Sequence, residues 1–158
     1  MMRNGWKLAL SLAIPQVVAA AAGAITVTAT GSWYQQIQRP SWNPPGWVFG
    51  PVWTLLYVLM GIALYAVWKS PDGPAKRRAI ILWSVQLFLN FCWSLIFFGM
   101  HRIGAAFAEI VLLWIAILLT IFAFARISRP AAWMLVPYIA WVSFAAILTF
   151  TIWKLNGY

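Results

Sequence analysis

Long apolar stretches alternate along the chain with short polar or basic breaks. The pattern predicts helices over residues 6–27, 46–68, 79–100, 104–125 and 131–153, with one long connection over 28–45. Each helix has about 20 residues or more, and at about 1.5 Å per residue it spans roughly 30 Å of hydrocarbon. The apolar runs inside them start at Leu8, Trp47, Ala79, Gly104 and Ala131 and hold no Lys or Arg. Strands of a membrane barrel would alternate polarity over about 10 residues, and no such alternation is present. The expected fold is all-α and integral to a membrane: a five-transmembrane-helix bundle forming a single domain over 1–158. Pro15, Pro51 and Pro137 fall inside or near the ends of runs, where neighbouring helices can satisfy freed carbonyls.

Arg3 and Lys7 before the first run also fit a signal peptide. Against that, the run is long, carries Pro15 and Gln16 early, and shows no small-x-small cut site followed by polar sequence. The third and fourth connections are turns, so the last three helices are expected to be antiparallel neighbours. The second, Ser70-Pro71-Asp72-Gly73-Pro74, is rich in breakers. Loop one holds Trp33, Tyr34 and the stiff stretch Pro40-Ser41-Trp42-Asn43-Pro44-Pro45. Such a loop is either a binding lid or an interfacial segment anchored by its aromatic residues.

Composition sharpens the picture. Apolar residues make up 64% of the 158 and charged residues 8%. Soluble domains carry about 25% charged residues, so lipid must cover part of this surface. The net charge of +9 suggests nucleic acid only until the charges are placed: they punctuate apolar runs and line no helix face. With five spans, one side carries Arg3, Lys7, Lys69, Lys76, Arg77, Arg78, Arg126 and Arg129, and the other only Arg39, Arg102 and Lys154. That bias predicts a cytoplasmic N-terminus in a plasma membrane. The lone Cys92 lies inside a run, so there is no disulfide framework.

The third helix carries Trp83, Gln86, Asn90, Trp93, Ser94 and Phe97 at spacings that put them on one face. Amides in hydrocarbon face the bundle interior or a cavity; the alternative is helix–helix hydrogen bonding without a ligand. Trp53, Tyr57, Met60 and Leu64 form a matching stripe on the second helix, and Tyr138, Trp141, Ala145 and Leu148 on the fifth. Counted from the side bearing loop one, Trp53 lies roughly 9 Å deep, Asn90 about 15 Å and Trp141 about 18 Å. Aromatic walls with a few amide and hydroxyl groups under a stiff loop describe a pocket for a flat, largely apolar ligand. Glu109 is the one acid inside a run, so it is a functional candidate by default. The alternative is a carboxylate that snorkels to Arg102 or pairs with His101. His101 is the single His and could ligate a haem iron. No Ser/His/acid set, Cys pair, acid cluster or phosphate-cradling Gly loop appears, which leaves conventional hydrolytic or metal chemistry without equipment.

Trp33-Tyr34, the stretch Pro40 to Pro45, Trp47-Val48-Phe49-Gly50-Pro51-Val52-Trp53-Thr54-Leu55-Leu56-Tyr57, Met60-Gly61 and Trp68 resemble the translocator protein family. That family is also called the tryptophan-rich sensory protein or peripheral benzodiazepine receptor family. Gln86, Asn90, Trp93, Phe97-Phe98-Gly99, Glu109 in place of a usual Asp, Pro137-Tyr138, Trp141, Phe144-Ala145, Trp153 and Asn156 extend the likeness over nearly the whole chain. The resemblance implies a five-helix bundle, often dimeric, that binds porphyrins such as protoporphyrin IX or haem, sterols and benzodiazepine-type drugs, with no required cofactor. The implied ligand-binding positions are Tyr34, Trp53, Asn90, Trp93, Ser94, Trp141 and Ala145. Some bacterial members are implied to degrade protoporphyrin in light, and Trp53 and Trp141 match the tryptophans implicated there. Phe150 stands where the animal sterol motif has Tyr, which argues against tight cholesterol binding and for a bacterial or archaeal source. Motifs of that kind are weak patterns.

Three functions follow as expectations: a porphyrin receptor or sensor, a translocator of porphyrin or sterol, and a light- and oxygen-dependent porphyrin-degrading enzyme. A bundle whose Trp residues only pack is the structural alternative. Polar groups clustered in one half favour binding over transport, which usually needs access from both sides. Ala20 with Ala24 and Gly46 with Gly50 have the small-xxx-small spacing of a homodimer seam, and equally of packing within one bundle.

Overall fold

A computed structural model describes residues 4–30 and 33–157, with side chains of 27–30 excepted; Arg3, counted above among the basic residues, lies outside the described set. The helices are α1 (Gly5–Thr30), α2 (Trp33–Gln36), α3 (Gly46–Trp68), α4 (Pro74–Ser94), α5 (Ile103–Ala125), α6 (Arg129–Met134) and α7 (Val136–Asn156), with a π-helical turn over Leu95–Gly99. Five segments are long and apolar enough to cross a membrane: α1, α3, α4 with its π turn, α5, and α6 with α7.

The boundaries depart from expectation where charge and proline meet the membrane edge. α4 starts at Pro74 rather than at 79 because Pro at the first helical position is already in helical geometry. Lys76, Arg77 and Arg78 are therefore helical residues in the first turns of the span. The last span starts at Arg129 and breaks at Leu135. Pro137 has no N–H to donate, and its ring would crowd the carbonyl four residues back, so the chain restarts as α7. The loop-one region is not wholly irregular, since Trp33–Gln36 forms a helical turn.

Packing closes the spans into a ring: α1 lies on α3, α3 on α6, α6 and α7 on α5, α5 on α4, and α4 on α1. The last three spans are neighbours in sequence order, as their short turns predict. α1 is a wall of this bundle. A Cβ on Gly61 would lie 2.6 Å from the Ser11 carbonyl oxygen and 3.1 Å from Leu12 Cα, so only Gly permits the observed approach of α3 to α1. The small-xxx-small pairs do not make this contact. Ala20 and Ala24 are exposed on α1, and a Cβ on Gly46 or Gly50 would meet nothing within 4 Å.

The main core lies towards the end away from loop one and includes Met60, Leu64, Trp83, Ile110, Leu113, Ile117, Phe124 and Val142. A second cluster, with Tyr34, Ile37, Phe97, Ile103, Leu148 and Ile152, packs beneath loop one. Between them the bundle is not filled.

A Trp-lined pocket beneath loop one

The three predicted stripes converge. Tyr57 Oη of α3 donates to Asn90 Oδ1 of α4 at 2.7 Å, and Asn90 Nδ2 donates to Tyr138 Oη of α7 at 2.7 Å. All three side chains are buried, so one amide ties three helices together near mid-depth. Deeper on the same face of α4, Trp83 Nε1 donates to the Met60 carbonyl at 3.2 Å. The hydrogen-bonding alternative for this stripe therefore holds for its inner half. Asn90 still keeps one N–H and one lone pair beyond these two bonds.

Above this brace lies a cavity of about 730 Å³. Tyr34, Trp53, Asn90, Trp93, Ser94, Trp141 and Ala145, the seven positions singled out from the sequence, all line it. Trp53 and Trp141 meet edge to face with centroids 6.5 Å apart, and Trp53 also stacks on Tyr57 at 5.7 Å. Phe49 and Phe144 buttress Trp141 at 5.9 and 5.4 Å. On α4 and its π turn, Trp93 stacks on Phe97 at 5.1 Å. The π turn, where Met100 N–H reaches back to the Leu95 carbonyl, lets the consecutive Phe97 and Phe98 both face the cavity. π turns inside α-helices often mark functional sites. The α1–α3 side is walled by Ala19, Ala22, Gly23, Gly46 and Gly50, residues with little or no side chain.

Loop one covers the cavity and is fastened at several points. Tyr34 Oη donates to Asn43 Oδ1 at 3.1 Å. Trp33 stacks on His101 with centroids 4.2 Å apart and planes within 6°, and Trp42 packs on Phe144 at 5.8 Å. Asn156, in the last turn of α7, takes both backbone groups of Gln38: its Oδ1 accepts from Gln38 N–H at 2.9 Å and its Nδ2 donates to Gln38 C=O at 2.8 Å.

The pocket residues show that this loop is a cover as well as an anchored segment. The sequence model of the TspO/MBR family matches residues 11–154. The chain belongs to the TspO/MBR family. It is 46% identical over 153 residues to the tryptophan-rich protein TspO of Chlorobaculum tepidum, covering 94% of this chain and 95% of that one. To the TspO of Archaeoglobus fulgidus it is 38% identical over 154 residues, with 98% and 99% covered. To the translocator protein of Homo sapiens it is 40% identical over 126 residues, with 78% of this chain and 75% of that one covered.

Several lining residues of this TspO/MBR pocket were not singled out from the sequence. Among the described residues Arg39 is the one charged residue on the pocket wall, and its guanidinium lies 4.8 Å from the Tyr34 ring centroid. Counting it only as a loop charge hid it; its position five residues from Tyr34, directly before the stiff stretch, was the available signal. Trp93 Nε1 is a buried donor with no acceptor. Glu109 departs from its alternative reading: it neither reaches Arg102 nor pairs with His101. It is 8% exposed, and both carboxyl oxygens are buried without a partner. It does not line the cavity.

Proposed function

We propose that this membrane protein is a receptor or sensor that binds porphyrins, with related flat apolar ligands such as sterols or benzodiazepine-type drugs in the same pocket. The observation that carries this is the cavity itself: about 730 Å³, lined by Trp53 and Trp141 and by Trp93 and Phe97. Its volume lies within the range of drug-sized ligand sites. A tetrapyrrole supplies two broad π faces for such walls. Its acidic edge groups suit Arg39 at the loop-one end. Asn90, with one N–H to spare, and Ser94 orient the ring edge, and Ala145 leaves room for it. Family membership, with relatives named translocator protein and tryptophan-rich sensory protein, supports a membrane sensor or translocator. The polar pocket groups gather at one end of the bundle, which favours binding over passage. The basic bias of the other end supports a cytoplasmic N-terminus in a bacterial or archaeal plasma membrane.

The test is titration of the purified protein with protoporphyrin IX in the dark, followed by Trp fluorescence. Saturable quenching that Trp53→Ala and Trp141→Ala weaken by tenfold or more is the expected result; linear, unsaturated quenching would rule the site out. A second reading rests on the edge-to-face pair Trp53 and Trp141. Light and oxygen acting on bound porphyrin supply reactivity that the side chains lack, and these indoles stand where they are oxidised first. Trp53→Phe and Trp141→Phe should then keep much of the affinity yet slow photodegradation. Equal rates at matched occupancy and light dose would leave binding alone.

A further inference from the structure

The end of the bundle opposite the pocket carries a second, open groove of about 810 Å³. Its apolar side comes from Ile80, Ile81 and Leu82, and its polar rim from Lys76, Arg77 and Arg78 beside the Asp72-Gly73-Pro74 turn. The rim charges are not equivalent. Lys76 is buried, and its Nζ donates to Asp72 Oδ1 at 2.9 Å and to the Ser70 carbonyl at 3.0 Å. That hydrogen bond and the Lys76 charge hold the Asp72 carboxyl below its ordinary range. Lys76 and Asp72 therefore cancel each other, and theirs is the one ion pair among the described residues. Arg77 and Arg78 are exposed and keep two guanidinium charges that no acid offsets.

The apolar surface continues from these charges into the bilayer. Ile81 is 54% exposed, and Val85 and Phe88 follow at helical spacing, at 44% and 66%. A strip of outward-facing aliphatic and aromatic side chains thus runs down α4 directly beneath two free arginines. The first turn of α4 has no side-chain cap, so its free N–H groups add to the positive field there.

We propose that this groove binds an anionic phospholipid, its phosphodiester held by Arg77 and Arg78 and one acyl chain laid along Ile81, Val85 and Phe88. Guanidinium groups bind phosphate in a bidentate fork, and basic pockets at membrane ends are known to select anionic headgroups. A zwitterionic lipid brings the same phosphate but also a cation, which meets the two arginines with like charge. Each cation near an anionic lipid surface contributes roughly fivefold in affinity, so the pair should contribute more than tenfold. The site is separate from the pocket and independent of what the pocket binds.

The experiment is native mass spectrometry of the full chain in mild detergent with equimolar phosphatidylglycerol and phosphatidylcholine of matched chains. The wild type should retain phosphatidylglycerol at least tenfold over phosphatidylcholine. Arg77→Gln with Arg78→Gln should bring that ratio close to one. Arg126→Gln with Arg129→Gln, two exposed charges at the same end but outside the groove, should leave it near the wild-type value. Equal retention of the two lipids by the wild type overturns the proposal. So does an equal loss in both double variants, which would mean diffuse surface charge. All four positions are exposed, so unfolding temperatures within a degree or two of wild type are expected.

Discussion

Glu109 stands on α5 among Ala106, Ile110 and Leu113, which are buried at spacings of three and four. The sequence alone did not fix that face, because α5 is apolar at nearly every position; the appeal of Arg102 and His101 lay in closeness along the chain, which says nothing about direction. His101 is occupied instead by its stack on Trp33. A buried polar group without a partner costs about 1–3 kcal/mol. Glu109→Met, which keeps the volume and removes the orphaned oxygens, should therefore raise the unfolding temperature in detergent by several degrees. A fall in scanning calorimetry would mean that the carboxyl has a partner in the working protein. Gly50 makes the opposite case. A Cβ there meets nothing within 4 Å, and the residue lines the pocket. Gly50→Leu should keep or slightly raise stability, since Gly costs about 1 kcal/mol in a helix. It should also weaken protoporphyrin binding by tenfold or more, as measured by fluorescence titration.

Among the elements, α1 and α3 pack most closely at a place the sequence did not single out for packing. Small residues at a spacing of four pointed to Ala20, Ala24, Gly46 and Gly50, yet Gly61 alone closes the contact against Ser11 and Leu12. A spacing rule marks where helices can approach, and the rotation of each helix decides which small residue is used. Gly61→Ala puts a methyl 2.6 Å from a backbone oxygen and must spread the helices. Overpacking of this kind costs about 1–3 kcal/mol, so the unfolding temperature should drop measurably, with Gly23→Ala, where a Cβ has open space, as the comparison. The five spans themselves were legible because apolar length is a strong signal. The π turn was not: Leu95–Gly99 reads like any apolar helix end, and the backbone bond that widens it, from Met100 to Leu95, has no counterpart in residue type.

For the molecule as a whole, depth along each helix was enough to bring Trp53, Asn90 and Trp141 to one cavity. The order of helices around the ring, and the capture of loop one by the far end of α7, were not legible, because pairings 118 residues apart leave no local pattern. Asn156 holds Gln38 through two exposed hydrogen bonds, each worth about 0.5–1.5 kcal/mol. Asn156→Ala should speed protoporphyrin release several-fold in stopped-flow measurements while changing equilibrium unfolding little. Unchanged release would mean that Trp33 and Trp42 hold the cover without it.

The same clamp has a practical consequence for handling the protein. Since the last helical turn grips the cover, a purification tag or fluorescent domain inserted close behind Asn156 hangs on the latch. Ligand exchange rates taken from such a fusion would describe a loosened door. Residue Trp6 packs near Trp68 with centroids 5.4 Å apart, at the other end of the bundle. A fusion placed ahead of it leaves the latch alone.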